Sequence, residues 1–554
     1  MRASRMDNSV AIVGAGALGL VATKNLIEEG FDVTTFEKTA YVGGLWHTNA
    51  DSSVTSALVG TVSNGSKQAS AFSDFPMPDS FPTYPNAAQL EEYFETYADH
   101  FDLRRFIKFS TTVTSITRDE TKKKWIVGFR SSTQDMGTPQ LQEFERLIMA
   151  SGSNNRAHTP QVKGIEKFEG EVIHSQALKD ASCYRGKTVL VVGISNSAAD
   201  SIQLLTEAGA SRLYVSHRRK FVTLPRVIHG KGLDYHLSLR NQYIGSWIQW
   251  LAPSLQAWLT TKFLETLQYQ SFPELRHHAC QKDRKFPPHG QFVPVMSETL
   301  GTNLIEGRVR SVHAIEEVVG AHRVKLRDGE VLENIDVILF CTGLHPDLAS
   351  MLPPSADPYN PAHAPEIFAA LPADYVKDRR VCRAYRGFLS LQHPHSLAFL
   401  GTVLSLRAAF TFYDLITMAL AQLWSGKSPM PTDKEMRAQA DAHLKSLANT
   451  MRVHGEVQHA GTIDHFAMDA WLHEAAGTGL LSSVGIFSWK AWVLYWTEPV
   501  LYKALVDGPP TAHAWRLFDT RGRRAWPGAK SAILEAYADS MELGKQFGKK
   551  EKIL

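Results

Sequence analysis

The stretch from Val10 to Glu37 restricts the fold of this chain more than any other. Val10, Ala11, Ile12 and Val13 form an apolar run that enters Gly14-Ala15-Gly16-Ala17-Leu18-Gly19. A helical pattern follows to Gly30, and Phe31–Phe36 reads as a second strand closed by Glu37. Strand, glycine turn, helix, strand and acid, in that order, make a dinucleotide-binding unit. Gly14 permits the tight turn, Gly16 lets backbone approach a pyrophosphate, and Gly19 lets helix pack closely on strand. The helix N-terminus offers unpaired N–H groups and the positive end of its dipole to the phosphates. Glu37 stands 18 residues after Gly19, where a carboxylate accepts both ribose hydroxyls and repels a 2′-phosphate. The first nucleotide is therefore expected to be FAD or NAD rather than NADP.

A length of 554 residues exceeds one core and predicts two or three domains. Lys+Arg total 59 against 56 Asp+Glu, a balance that gives no footing for a nucleic-acid partner. Cys183, Cys280, Cys341 and Cys382 are scattered, with no CxxC. That spacing fits a reducing compartment and argues against a disulfide-reductase flavoprotein or a metal site. Met1–Ser9 shows no apolar signal segment, and no apolar run is long enough to span a membrane. A cytoplasmic location is expected.

After Glu37 and Lys38 comes Gly43-Gly44-Leu45-Trp46. Its paired glycines either let backbone approach a flat ligand or simply make a turn. Asn64, within Ser63-Asn64-Gly65-Ser66-Lys67, reads first as an Asx turn. Gln89–Phe101 is predicted helical, with Leu90, Tyr93, Phe94, Tyr97, Ala98 and Phe101 on one core-facing stripe. Ile107–Thr117 and Trp125–Phe129 alternate as strands, and Leu147–Ala150 is a buried strand running into Ser151-Gly152.

The opening pattern then restarts. Strand Thr188–Val192 enters Gly193-Ile194-Ser195-Asn196-Ser197-Ala198, and a helix runs to about Gly209. The next strand, Leu213–Ser216, ends at His217-Arg218-Arg219-Lys220 with no acid. Arg218 and Arg219 at that place suit the 2′-phosphate of NADP. Ser195 replaces the middle glycine: its side chain would crowd the pyrophosphate, or its hydroxyl would bind it. Phe221–Gln291 reads as an aromatic-rich helical insertion. Ile335–Phe340 is an apolar strand ending at Cys341-Thr342-Gly343, much as the earlier strand ends at Ala150-Ser151-Gly152. Leu397–Gly401 is one more buried strand, with an apolar helix across Arg407–Trp424.

The expected fold is α/β, with two Rossmann-like dinucleotide-binding domains, the second inserted in the first, and a mainly helical C-terminal region. The boundaries drawn are 1–182 and 331–440 for the first domain, 183–330 for the second with its insertion at about 223–290, and 441–554 for the extension. Trp489, Trp492, Tyr495 and Trp496 cluster before Pro499. Packing against the main body is the first expectation for them, and a membrane-surface contact the alternative. Lys550 and Lys552, fifth and third from the end, resemble an ER-retrieval signal, which makes the cytosolic face of the ER membrane the alternative location.

From Val10 to about Trp424 these motifs resemble the class B flavin-dependent monooxygenases, above all the flavin-containing (dimethylaniline monooxygenase-like) family, with C-terminal echoes of fungal members and so of secondary metabolism. Gly14, Gly16, Gly19, Glu37, Lys38, Gly44, Leu45 and Trp46 look like its FAD site. Asn64 with Phe72–Pro76, which includes Asp74, looks like its asparagine loop. There the asparagine lies beside the flavin, which displaces the plain-turn interpretation. Phe168, Gly170 and His174 match the fingerprint FxGxxxH, with Leu178 where an aromatic residue is expected. Gly193, Ser195, Asn196 and Ser197 look like its NADPH turn, and Thr342 and Gly343 like its Ala-Thr-Gly linker.

The resemblance implies two cofactors, FAD and NADPH. NADPH reduces FAD, O2 adds at the flavin C4a carbon, and a shielded hydroperoxide passes its distal oxygen to a nitrogen or sulfur of an apolar small molecule. Asn64 would hold that state. The alternatives are a Baeyer–Villiger monooxygenase acting on a ketone, which Leu178 disfavours, and an NADPH oxidase-type flavoprotein. A homodimer stays open.

Overall fold

The computed structural model describes residues 8–551 apart from 133–137, 283, 285–292, 373–380, 406, 456–460, 462, 486 and 521–522. Two five-stranded sheets organise it, and all their pairings are parallel. The first runs Leu397–Phe399, Arg146–Met149, Ser9–Val13, Asp32–Phe36, Ile107–Lys108. The second runs Val309–Val312, Arg212–Ser216, Thr188–Val192, Val337–Phe340, Glu171–His174. Each sheet thus has its glycine-turn strand at the centre, flanked by the strand that follows it in its strand–helix–strand unit and by a strand that ends in a small-residue turn. Val10–Ile12 and Val189–Val191 are fully buried, as central parallel strands covered on both faces must be. The second sheet's strands lie in the chain between Arg146–Met149 and Leu397–Phe399, so the second unit is an insertion in the first. Each unit also carries a three-stranded antiparallel sheet, over Thr111–Phe144 and Ile315–Leu332.

The strand pairing corrects the expected division at two places. Glu171–His174 and Val337–Phe340, both assigned by sequence to the first domain, hydrogen-bond into the second sheet. The boundaries drawn at 183 and 331 therefore move outward to enclose these strands. An apolar strand read in isolation does not say which of two similar sheets it joins.

The helix Ala87–His100 begins at a capping box: Gln89 N–H donates to Asn86 Oδ1 at 3.0 Å, and Asn86 N–H to Gln89 Oε1 at 2.9 Å. Its Leu90, Tyr93, Phe94 and Tyr97 are buried, as their spacing predicts. The helix Ala409–Trp424 is buried from Phe410 onward and lies against Ala17–Glu28.

The C-terminal extension is keyed to the opening helix through buried charge. Lys24 pairs with Asp74 and, at 3.0 Å, with Glu28. Arg516 grips Glu28 at 2.5 and 3.0 Å and stands 3.4 Å from Asp74. Arg523 donates to Asn25 Oδ1 and to Glu28, both at 3.2 Å. Burial pushes the Glu28 carboxyl up, but the charges of Lys24 and Arg523 and the Arg516 hydrogen bond outweigh it and hold it far below the carboxylate range. The Glu28 contribution to stability is therefore complete above the ordinary carboxylate pKa of 4.5 and is lost as pH falls below it. Arg516→Ala leaves Glu28 and Asp74 short of a buried partner and should cost about 3–5 kcal/mol. Thermal melts across pH check this. The variant should melt well below wild type at neutral pH, with the gap narrowing in acid, and equal melting at neutral pH would remove Arg516 from the cluster.

The expectation for the Trp489–Trp496 cluster is overturned. Trp489, Trp492, Tyr495 and Trp496 are exposed, and on Trp489–Thr497 only Ala491 is buried. A helix apolar on nearly every side gives no periodic signal of which face, if any, is covered. The lysine tail at 549–554 lies outside the described side chains. Among the described residues, no helix is long and apolar enough to cross a membrane.

Candidate active site

Gly14 leaves the central strand with φ of +107°, a conformation that favours glycine. Its N–H donates to Phe36 O at 2.8 Å, and a Cβ there would sit 2.5 Å from Ala150 O. A Cβ on Gly19 would lie 1.9 Å from Gly14 O. The turn is thus closed on both sides by backbone. Gly43-Gly44 lies against it: Gly43 N–H donates to Ala15 O at 3.1 Å, and a Cβ on Gly44 would stand 3.0 Å from Gly16 Cα. The result is a double-glycine floor at the N-terminus of Ala17–Glu28, where the two backbones pack directly on each other.

Glu37 closes the ribose end. Its carboxylate accepts from Ala15 N–H at 2.7 Å on one oxygen and from Thr39 N–H and hydroxyl at 2.9 and 2.8 Å on the other. A carboxylate has about four acceptor positions, so it stays able to accept from a ribose. Lys38 points to solvent. Asp74, expected to contact the cofactor, is instead buried on Lys24 and Arg516. It lies next to the asparagine loop in sequence, but its neighbours in space are cations from elsewhere in the chain.

Three segments meet beyond the glycine floor. The Trp46 ring stands 5.7 Å from Phe410, edge to face. A Cβ on Gly65 would be 3.1 Å from the Ala408 Cβ. Ala408 caps Ala409–Trp424 without a side-chain hydrogen bond, so the first N–H groups of that helix and its dipole are available to an electron-rich ring. Asn64 is exposed at this junction, and its Oδ1 accepts from Arg226 Nη2 at 3.1 Å. That leaves its Nδ2 as the end that can donate to a ligand.

Arg226 belongs to the second unit and was not anticipated. It is buried, donates through Nε to Ser63 O at 2.8 Å and through Nη2 to Val62 O at 3.0 Å, and pairs with Glu298 at 2.5 Å. Asp234 accepts from Ser66 N–H at 2.7 Å, and Asp200 from Thr61 at 3.2 Å. Burial raises the pKa of both acids. The loop bearing Asn64 is therefore fixed by the second unit at five points, Thr61, Val62, Ser63, Asn64 and Ser66.

The second glycine turn repeats the first in its backbone contacts. Gly193 has φ of +117°, its N–H donates to Ser216 O at 2.9 Å, and a Cβ would meet Cys341 O at 2.4 Å. Cys341 thus plays the part of Ala150. Ser195 has φ of −122°, extended backbone that needs no glycine, and its hydroxyl caps nothing in the helix. Asn196 Oδ1 accepts from Met296 N–H at 2.8 Å, which spends that oxygen on positioning, while Ser197 is exposed.

At the ribose end of this turn, Arg218 is exposed and Arg219 half-buried. Burial, with Arg284 nearby, pushes His217 down to about 3, so it is neutral at pH 7. Its Nδ1–H donates to Arg219 O at 2.8 Å, and its Nε2 accepts from Ser311 at 2.9 Å. Arg284, also unforeseen, donates to His217 O at 3.4 Å.

Thr342 donates to His158 O, and Gly343 O accepts from His158 N–H at 3.0 Å and from His174 Nε2 at 3.1 Å. His174 Nδ1 accepts from Gln176 N–H at 3.1 Å, which places the ring proton on Nε2. The fingerprint histidine therefore holds the linker turn, while Leu178 is buried in the core of the second unit.

The two turns fit the two expected cofactors. Each is a glycine cradle that a Cβ would fill, one ending at an acid and the other at arginines.

The sequence model of the family described as flavin-binding monooxygenase-like matches residues 7–352. Monooxygenase aurF of Gibberella zeae is 33% identical over 96% of this chain and 98% of its own. Flavin-containing monooxygenase 5 of Mus musculus is 30% identical over 95% of this chain and 91% of its own. Among solved structures, the S-allyl-L-cysteine S-oxygenase of Allium sativum aligns over 89% of this chain and 94% of its own, with a TM-score of 0.59 at 18% identity. Cyclohexanone monooxygenase from Rhodococcus sp. Phi1, bound to NADP+, aligns over 84% and 96% with a TM-score of 0.57 at 17% identity. The chain is a FAD-dependent monooxygenase that uses NADPH, and it belongs to the flavin-binding monooxygenase-like family.

Proposed function

We propose that this enzyme oxygenates a soft heteroatom, nitrogen or sulfur, of an apolar small molecule. The observation that carries the proposal is the junction of Trp46, Asn64-Gly65 and the uncapped helix start at Ala408, braced by Arg226. Relatives named for N-oxide formation, similar along nearly the whole chain, support the substrate class.

Bound FAD would supply the redox chemistry, hydride acceptance and O2 activation. The residues of the chain do the rest. Gly14–Gly19 and Glu37 hold the adenine side of FAD. Gly193–Ser197 with Arg218 and Arg219 hold NADPH. The Ala409–Trp424 N-terminus would stabilise negative charge on a bound flavin, and Asn64 Nδ2 would be its hydrogen-bond donor at this junction. Trp46 and Phe410 keep water away from it. The chain need supply no acid–base residue to activate the substrate, because the lone pair of the nitrogen or sulfur is itself the nucleophile. A cytosolic site, or the cytosolic face of the ER membrane, supplies NADPH, and the free cysteines suit that compartment.

Rapid-mixing absorbance tests the proposal. Protein reduced anaerobically with NADPH is mixed with O2, with and without amines, sulfides and ketones. We expect a delayed return of the oxidised-flavin spectrum, hastened by amines or sulfides, with one oxygen atom in the product. Immediate return with stoichiometric hydrogen peroxide overturns it in favour of an oxidase, and lactone or ester products from ketones alone overturn the heteroatom class. Asn64→Ala should leave flavin reduction by NADPH intact but lower product formed per NADPH by about tenfold or more. Unchanged coupling would take Asn64 out of the mechanism.

A further inference from the structure

Directly before the uncapped helix start at Ala408 stands Arg407, whose side chain is claimed by three other parts of the chain. Its Nε donates to Asp469 Oδ1 at 2.8 Å and to Oδ2 at 3.1 Å, and Nη2 donates to Asp469 Oδ2 as well. Nη2 also donates to Gln242 Oε1 at 3.1 Å. The guanidinium lies 5.7 Å from the centre of the Trp515 ring. Asp469 belongs to the helix His465–Ala476 and Trp515 to the turn Ala512–Arg516, both of the C-terminal extension. Gln242 belongs to the insertion helix Leu239–Leu251 of the second unit. Both members of the ion pair are only 11% exposed. Burial raises the Asp469 carboxyl, but the charge and hydrogen bonds of Arg407 outweigh it and hold it far below the carboxylate range. His465 and His473 near it are pushed down by burial, His473 to about 4, so Arg407 is the charge that balances Asp469 at pH 7. The backbone ahead of the helix is held from the same side. Leu404 N–H donates to Gly461 O at 2.9 Å, Arg407 N–H to Ser405 Oγ at 3.2 Å, and Ser405 Oγ lies 3.0 Å from His465 Nδ1.

We propose that Arg407 is a positioning residue for the flavin chemistry: its fork on Asp469 and Gln242 fixes where the first N–H groups of Ala409–Trp424 stand, and so lets that helix favour reduced over oxidised FAD. This rests on the proposed placing of the helix start against FAD. Arg407 acts through geometry and not through its own charge, which Asp469 cancels at contact. A planar guanidinium reaches both carboxylate oxygens and a third acceptor at once, with no freedom left to the backbone that carries it. The partial charge of a helix end acts only over its first turn, so a small displacement of Ala408 changes what the ring meets. The C-terminal extension and the insertion thereby bear on the flavin through one side chain.

The test is the two-electron reduction potential of FAD in the full-length protein, read by equilibration with a reference dye under dithionite, so that neither NADPH nor substrate enters. Arg407→Met combined with Asp469→Leu removes both charges together. A buried pair replaced by apolar residues of similar volume commonly keeps its stability, so this variant should stay yellow and melt near the wild type. Its balance between the two flavin states should move about tenfold toward oxidised FAD, a fall in potential of about 30 mV. Ala408→Asp separates the proposal from the placing beneath it. A carboxylate there occupies the free N–H groups and should lower the potential at least as far if the helix start faces FAD. A fall with Ala408→Asp and a wild-type potential in the double variant overturn the proposal and leave the placing intact. No change in either variant overturns both. A fall in the double variant alone means that Arg407 reaches the flavin by another route, and a double variant that loses FAD or unfolds assigns the pair to stability; each overturns the proposal as well.

Discussion

Gly14→Ala should yield a folded protein that purifies without FAD. Two costs add at this position. The backbone holds φ of +107°, which a residue with a Cβ adopts only under strain. The new methyl would also stand 2.5 Å from Ala150 O and 3.1 Å from its carbonyl carbon. Neither atom can rotate away, because Ala150 is tied into the sheet by its N–H bond to Val13 O. The strand end and the turn must therefore part, and the surface that receives the pyrophosphate is lost. A penalty of about 3 kcal/mol corresponds to more than a hundredfold weaker FAD binding. Gly30→Ala is the matched control. Gly30 has φ of +88°, but nothing lies within 4 Å of its Cβ position, so it bears the conformational strain without the collision and should stay yellow. The ratio of flavin to protein absorbance after purification reads both variants. A normal ratio for Gly14→Ala would mean that the first nucleotide site is elsewhere.

How much of this was legible in the sequence depends on how local each feature is. The first turn, its helix and Glu37 span fewer than thirty residues, and their partners are one another, so residue order alone carries the geometry. The same holds for the second turn. The allegiance of Glu171–His174 and Val337–Phe340 was not legible, since two sheets of the same order compete for any apolar strand. Arg226 was missed because it meets Asn64 across 162 residues, from a stretch whose aromatic content suggested only a helical insertion. Asp74 was misplaced for the converse reason. Its motif sits beside the asparagine loop in sequence, while its charge is claimed by Lys24 and by Arg516. The exposed tryptophans failed on a different principle: hydrophobicity predicts burial only where something is there to cover the residue.

Gly193→Ala should produce the opposite phenotype to Gly14→Ala: a yellow protein that NADPH hardly reduces. The strain is of the same kind, with φ of +117° and a methyl 2.4 Å from Cys341 O and 3.0 Å from its carbonyl carbon. Cys341 is held by its N–H bond to Val192 O at 2.8 Å, so the second turn cannot open without disturbing the strand Val337–Phe340. The first turn shares none of these atoms and keeps its FAD. Anaerobic reduction by NADPH at sub-saturating concentration should slow by more than about a hundredfold, while dithionite still bleaches the flavin at the wild-type rate. Ser195→Gly supplies the contrast. Its extended backbone gives no strain to relieve, so NADPH affinity should move by less than about tenfold. A rise would show that the side chain crowds the pyrophosphate, and a fall that the hydroxyl binds it. If Gly193→Ala were reduced by NADPH as fast as wild type, hydride would have to reach the flavin from some other part of the molecule, and the arginines after Ser216 would lose the role given to them here.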